Sequence, residues 1–137
     1  MMSVQVHYLL DTNIASHIAK DTLPRVARQF SRVRRNNVAI SVITEAEMLY
    51  GLAKMPEARV LASIVREFLA KTRILIWDSK AAGHYAYLRS ELQRAGKTLG
   101  AMDMMIAAQA LAEDAILITN DSAFQRISHL RTEDWTI

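Results

Sequence analysis

Four short apolar runs recur along the chain at wide intervals: Val6 to Leu10, Val38 to Ser41, Arg73 to Trp77 and Ala115 to Thr119. Each is rich in aliphatic residues and bounded by polar or turn-forming ones, a pattern that predicts buried β-strands. Between them, apolar positions return at three- and four-residue spacing, which predicts helices over Ile14 to Lys20, Leu23 to Arg35, Thr44 to Met55, Glu57 to Thr72, Lys80 to Ala95 and Asp103 to Glu113. Thr22 and Pro24 open the second of these, Leu23, Val26, Ala27, Phe30 and Val33 face a core, and Asn36-Asn37 ends it. Pro56 divides the third from the fourth and makes an αα-hairpin. Its apolar side, Val60, Leu61, Ile64, Val65, Phe68 and Leu69, is broad enough for part of it to be a dimer surface. Asp78-Ser79 caps the fifth helix, Gly96 stops it, and a turn of helix around Phe124 and a last strand at Trp135 to Ile137 finish the chain. Strands alternating with helices indicate an α/β fold with a central parallel β-sheet flanked by α-helices.

At 137 residues, 51% of them hydrophobic and 23% charged, the chain is expected to form one domain, residues 1–137, with its own core. The lack of cysteine excludes a disulfide framework and thiolate metal sites and suits a reducing compartment, so a cytoplasmic location is expected. No charge-free run approaches the roughly 18 residues of a membrane span, and none near the N-terminus suits a signal peptide. A formal charge of +3 and a pI near 9.4 permit a nucleic-acid partner. The basic residues Arg25, Arg28, Arg32 and Arg35 form a stripe on the second helix, which reads either as a solvated face or as a track for RNA phosphates.

Acids recur just past the strands. Asp11 follows the first, Glu45 and Glu47 follow the second, Asp121 follows the fourth, and Asp103 stands at the mouth of a helix. In an open parallel sheet, ligands bind beyond the carboxyl ends of the strands, where residues distant in sequence converge. Singly, each acid has a plainer explanation: Asp11, Asp78 and Asp103 as helix N-caps, Glu47 in a capping box with Thr44, Asp121 in a turn. Helical spacing leaves the choice between Glu45 and Glu47 open. Collectively they raise an energetic problem, because two carboxylates about 4 Å apart repel by roughly 4 kcal/mol at an effective dielectric of 20. If they converge, either some stay protonated or a cation holds them together; a divalent ion satisfies several at once, and oxygen-only donors with scattered histidines favour Mg²⁺, or Mn²⁺, over zinc.

The runs Leu9-Leu-Asp11-Thr-Asn13, Ser41-Val-Ile-Thr44-Glu-Ala-Glu47-Met, Gly100-Ala-Met-Asp103 and Ile118-Thr119-Asn-Asp121-Ser-Ala-Phe124 resemble, in order, the four motifs of PIN-domain proteins. The similarity is greatest to VapC-type toxins of bacterial toxin–antitoxin modules, down to Glu133-Asp134-Trp135. The resemblance implies a PIN-like fold and a Mg²⁺- or Mn²⁺-dependent endoribonuclease acting on structured RNA, a tRNA or ribosomal RNA loop. It also implies a homodimer and a cognate VapB-type antitoxin that blocks the site. By the same resemblance Asp11, Glu47 and Asp103 hold the metal and Asp121 supports the metal or its water. The Ala46-Glu47-Met48 pattern selects Glu47 over Glu45, and Asn13 and Thr119 help to orient the site.

Two other functions are compatible with acids at strand ends. A phosphotransfer or phosphatase domain working through an aspartyl phosphate would want a second acid two residues after Asp11, where Asn13 stands. A catalytically silent RNA- or partner-binding module would retain RNA without cutting it.

Overall fold

The computed structural model describes residues 5–137. Five parallel strands, β1 (Tyr8–Leu10), β2 (Val38–Ser41), β3 (Arg73–Leu75), β4 (Ile116–Ile118) and β5 (Thr132–Glu133), form one sheet in the order β3-β2-β1-β4-β5. Six helices connect them: α1 (Thr12–Lys20), α2 (Pro24–Arg32), α3 (Val42–Ala53), α4 (Arg59–Lys71), α5 (Ser79–Arg94) and α6 (Ala101–Ala112). The chain starts at the centre with β1, moves outward through β2 and β3, then returns to lay β4 on the other side of β1. Tyr8 is in register with both Val38 and Ile116, so the crevice where the strand order reverses lies at β1 and β4.

The strands read as continuous apolar runs because both faces of the sheet are covered. Leu9, Ala39 and Leu117 point into a core closed by Leu88, Leu92, Met104, Ile106 and Phe124, from α5, α6 and a 3-10 turn at Ser122–Arg126. Their neighbours Leu10, Ile40 and Ile118 point the other way, to Ile14, Val26, Phe30, Met48, Leu52, Val65 and Leu69 from α1 to α4. The αα-hairpin forms as expected, but its apolar side is split. Val65 and Leu69 are buried, Leu61 and Phe68 partly so, and Val60 and Ile64 are exposed.

Three helix ends are closed by the same backbone device, in which a residue of left-handed conformation lets two N–H groups reach back into the last turn. After α5, Gly96 (φ 68°) donates to Gln93 and Lys97 to Leu92 at 3.1 and 2.9 Å. Asp21 and Asp114, also at positive φ, do the same after α1 and α6, a conformation that aspartate tolerates better than most residues.

Several boundaries differ from expectation. The last strand is Thr132–Glu133, not Trp135 to Ile137: Trp135 is buried in the core with its ring edge-on to Tyr8, while a turn held by Asp134 and Thr136 carries the backbone out of the ladder. Helix α2 stops at Arg32 because Val33 is extended, and Arg35 lies in a 3-10 turn, stacked 4.3 Å over the Phe30 ring. Thr22 does not cap α2; its hydroxyl pairs with His17 at 2.6 Å. Ser41, not Thr44, caps α3, so the capping box does not form, and Thr44 is buried inside the first turn. Likewise α6 begins at Ala101, which leaves Asp103 in its first turn without a capping role.

Candidate active site

Beyond the ends of β1 and β4 opens a cleft lined by Asp11, Thr12, Asn13, Ser16, Glu47, Asp103, Asn120, Asp121 and Phe124. All four acids singled out by the motifs are there, from four separate parts of the chain. Glu45 is absent from the lining, and so is Asp78, which caps α5 by accepting from the Ala81 N–H at 3.0 Å. Among the described residues, no Arg or Lys lines the cleft. Of the basic stripe, Arg25, Arg28 and Arg32 lie together around a separate surface depression on α2, and Arg35 is drawn away to Phe30.

Asp11 does two jobs. Its Oδ1 accepts from the Ile14 N–H at 2.8 Å, capping α1, yet the residue is only 5% exposed. Burial pushes its carboxyl from an ordinary 3.8 up to about 6, against hydrogen bonds from Thr119 and Ile14, and the charges of Asp103 and Asp121 push the same way. Asp103 is raised as well, first by burial and then by Glu47 and Asp121. These electrostatic couplings run across the cleft and tie the acids into one negative cluster. Thr119 stands between two of its walls: it lies beside Asp11, where it works against the rise in that carboxyl's pKa, and its Oγ1 accepts from the Asp121 N–H at 3.0 Å. Asp121 itself is exposed at the rim, where it caps the 3-10 turn through the Ala123 N–H, and Asn13 Nδ2 donates to Asn120 Oδ1 at 3.1 Å across the mouth.

Glu47 is held by a residue to which the motifs gave no role. Thr12 Oγ1 lies 2.5 Å from Glu47 Oε1 and 3.1 Å from Thr44 Oγ1. A hydroxyl has one proton, so with Thr12 donating to the carboxylate, Thr44 donates to Thr12. Thr44 and Glu47 are three apart on α3 and share a helix face, but nothing in the local pattern brings Thr12 of α1 to them. Thr12→Val is expected to free Glu47 and lower activity about tenfold to a hundredfold, while Thr12→Ser retains most of it. Steady-state kinetics on the two variants would check this, and equal losses in both would remove the role from the hydroxyl.

The donor set suits a hard divalent cation. It consists of carboxylates with hydroxyls and amides behind them, and two of the carboxylates are in surroundings that penalise their charge. As the side chains lie, no three His, Cys, Asp or Glu among the described residues converge tightly enough to enclose an ion. Fit therefore rests on donor chemistry and on placement in one cleft. Asp11, Glu47 and Asp103 are the residues that would hold such an ion, and Asp121 lines the same cleft.

Residues 8–130 match the PIN domain. A tRNA(fMet)-specific endonuclease VapC of Shigella flexneri is 35% identical over 132 residues, which cover 94% of this chain and 98% of the relative. A ribonuclease VapC2 of Haemophilus influenzae is 34% identical over 93% of this chain and 97% of its own length. Among solved structures, VapBC2 from Rickettsia felis bound to a promoter DNA fragment superposes with a TM-score of 0.87 at 33% identity, covering 95% of this chain and 99% of that one. DNA-bound VapBC from Salmonella typhimurium gives 0.88 at 31% identity, with 95% and 98% covered. With the four motifs gathered in one cleft at the sheet's reversal point, this chain belongs to the PIN-domain family, among its VapC ribonucleases.

Proposed function

We propose that this protein is the toxin of a type II toxin–antitoxin module, an endoribonuclease that needs Mg²⁺, or Mn²⁺ in its place, and stops translation by cutting a tRNA or ribosomal RNA loop. The observation that carries the reading is the cleft: four carboxylates from four elements, with no nucleophilic Cys and no cationic side chain lining it. Bound Mg²⁺ supplies polarisation of a phosphate oxygen and a water of lowered pKa. Asp11, Glu47 and Asp103 hold it, Thr12 and Thr119 fix the orientation of Glu47 and Asp11, and the Asn13–Asn120 pair and Asp121 border the entrance for substrate. An unpaired loop suits an open cleft better than a duplex does, since its bases can be splayed outward.

The relatives support the substrate class, one being named for tRNA(fMet), and the VapBC neighbours support a VapB-type antitoxin as partner. The protein acts in the cytoplasm as a homodimer; Val60 and Ile64, exposed on α4, are apolar residues that a second copy would cover. No helix among the described residues is long and apolar enough to cross a membrane.

The direct test is to incubate the purified, antitoxin-free protein with unfractionated tRNA and ribosomal RNA in Mg²⁺ or in EDTA, beside Asp103→Asn. Discrete fragments are expected only with Mg²⁺ and only with Asp103, whose loss lowers the rate by about a thousandfold, or about 4 kcal/mol. Intact RNA in Mg²⁺, or fragments that persist in EDTA, would end the reading.

A further inference from the structure

The cleft is lined by four carboxylates and, among the described residues, by no Lys or Arg, so apart from a bound cation its own side chains offer a polyanion no attraction. Between Thr22 and Thr44 the chain carries five arginines, Arg25, Arg28, Arg32, Arg34 and Arg35, and no acid. That stretch contributes +5 against a formal charge of +3 for the whole chain, which leaves −2 for everything else. The positive charge is therefore concentrated on α2 and the turn that follows it.

Within it, Arg25, Arg28 and Arg32 surround one depression together with Gln29 and Ile137. All three arginines are exposed, and none forms an ion pair among the described residues. By contrast Lys71 is paired with Glu67, Arg131 with Asp114, and Arg126 donates to the Thr98 carbonyl. At positions i, i+3 and i+7 the guanidinium groups project from one face of α2 over about 10 Å. A nucleic-acid strand offers roughly one phosphate per 3.4 Å of duplex axis, so that length meets two or three of them. The apolar side of α2, Val26 and Phe30, is already buried, so this face has no packing role left to fill.

We infer that Arg25, Arg28 and Arg32 form a second RNA-contact site that grips the sugar-phosphate backbone of the substrate away from the catalytic cleft. The inference rests on the ribonuclease reading above. α1 begins at the cleft with Thr12 and rises about 13 Å before the chain turns into α2, whose three arginines surround a depression that shares no lining residue with the cleft. The arginines read no sequence there; they supply affinity and orientation, as backbone contacts do.

The test compares Asp103→Asn protein with the same protein carrying Arg25→Gln, Arg28→Gln and Arg32→Gln, using unfractionated tRNA as probe and measuring Kd by anisotropy across salt concentrations. The triple variant is expected to bind at least tenfold more weakly at low salt. Its plot of log K against log salt should be shallower by about 2, with each single substitution removing under 1. Unchanged circular dichroism and melting exclude loss of fold, and the single variants carry the test if the triple does not fold. Equal affinity and slope in all variants would overturn the site and leave the face to a protein partner. Should the unsubstituted chain bind tRNA through these arginines but cut no RNA in Mg²⁺, the contact stands and the nuclease reading falls.

Discussion

Asp11→Asn is expected to abolish cleavage and at the same time make the metal-free protein more stable at neutral pH. Asparagine is nearly isosteric and retains a side-chain oxygen to cap α1 through the Ile14 N–H, so the fold has no reason to change. What disappears is a buried negative charge. Because the folded-state pKa is raised, from 3.8 to about 6, Asp11 favours the native state only while it is protonated. That contribution is complete below pH 3.8 and is lost as pH rises through about 6, to a total of at most about 3 kcal/mol. Melting in EDTA across pH 4 to 8 should show the parent falling behind the variant, by roughly 10 °C at the upper end. Added Mg²⁺ should raise the parent's Tm and leave that of the variant nearly unchanged. Parallel curves at every pH would mean that Asp11 is not penalised by its burial.

Phe124→Ala carries the largest expected cost in stability. The ring is 1% exposed, packs in the core with Leu9, Leu117 and Ile106, and forms one wall of the cleft beside Asp121. Removing it costs about 3 to 5 kcal/mol, from a domain whose whole stability is of order 5 to 15. The expected result is a Tm lower by roughly 10 to 20 °C, with activity lost even below the new midpoint because the 3-10 turn carrying Asp121 has lost its anchor. Phe124→Leu should restore most of both. Thermal melts of the two variants check this, and a drop of only a few degrees for alanine would show that the turn is held from elsewhere.

Much of this architecture was legible before any coordinates. Buried strands announced themselves as aliphatic runs, and the sharp change from Leu10 to Asp11 marked the place where a strand leaves the core. Asp78 shows what was missing. It follows a strand and opens a helix just as Asp11 does, yet β3 is at the edge of the sheet while β1 is at its centre. Strand order decides which strand ends face the crevice, and order is a tertiary property that no local pattern encodes. The choice of Glu47 over Glu45 came from resemblance, and the structure supplies a physical counterpart in the Thr12 hydrogen bond. The misplaced final strand has a comparable cause: Trp135 is apolar because it plugs the core, and periodicity alone cannot separate that from pairing in a ladder.

The position of β1 also governs when the molecule becomes dangerous to the cell that makes it. Its central strand emerges first from the ribosome but stays open along one edge until Ile116 arrives, 108 residues after Tyr8. At about 5 to 20 residues per second, that is a wait of roughly 5 to 20 s. Thr119 and Asp121 follow only a few residues later, so a nascent or truncated chain has half a sheet and no completed cleft. Synthesis itself thus imposes a delay in which a partner already present can meet the chain before it is able to cut.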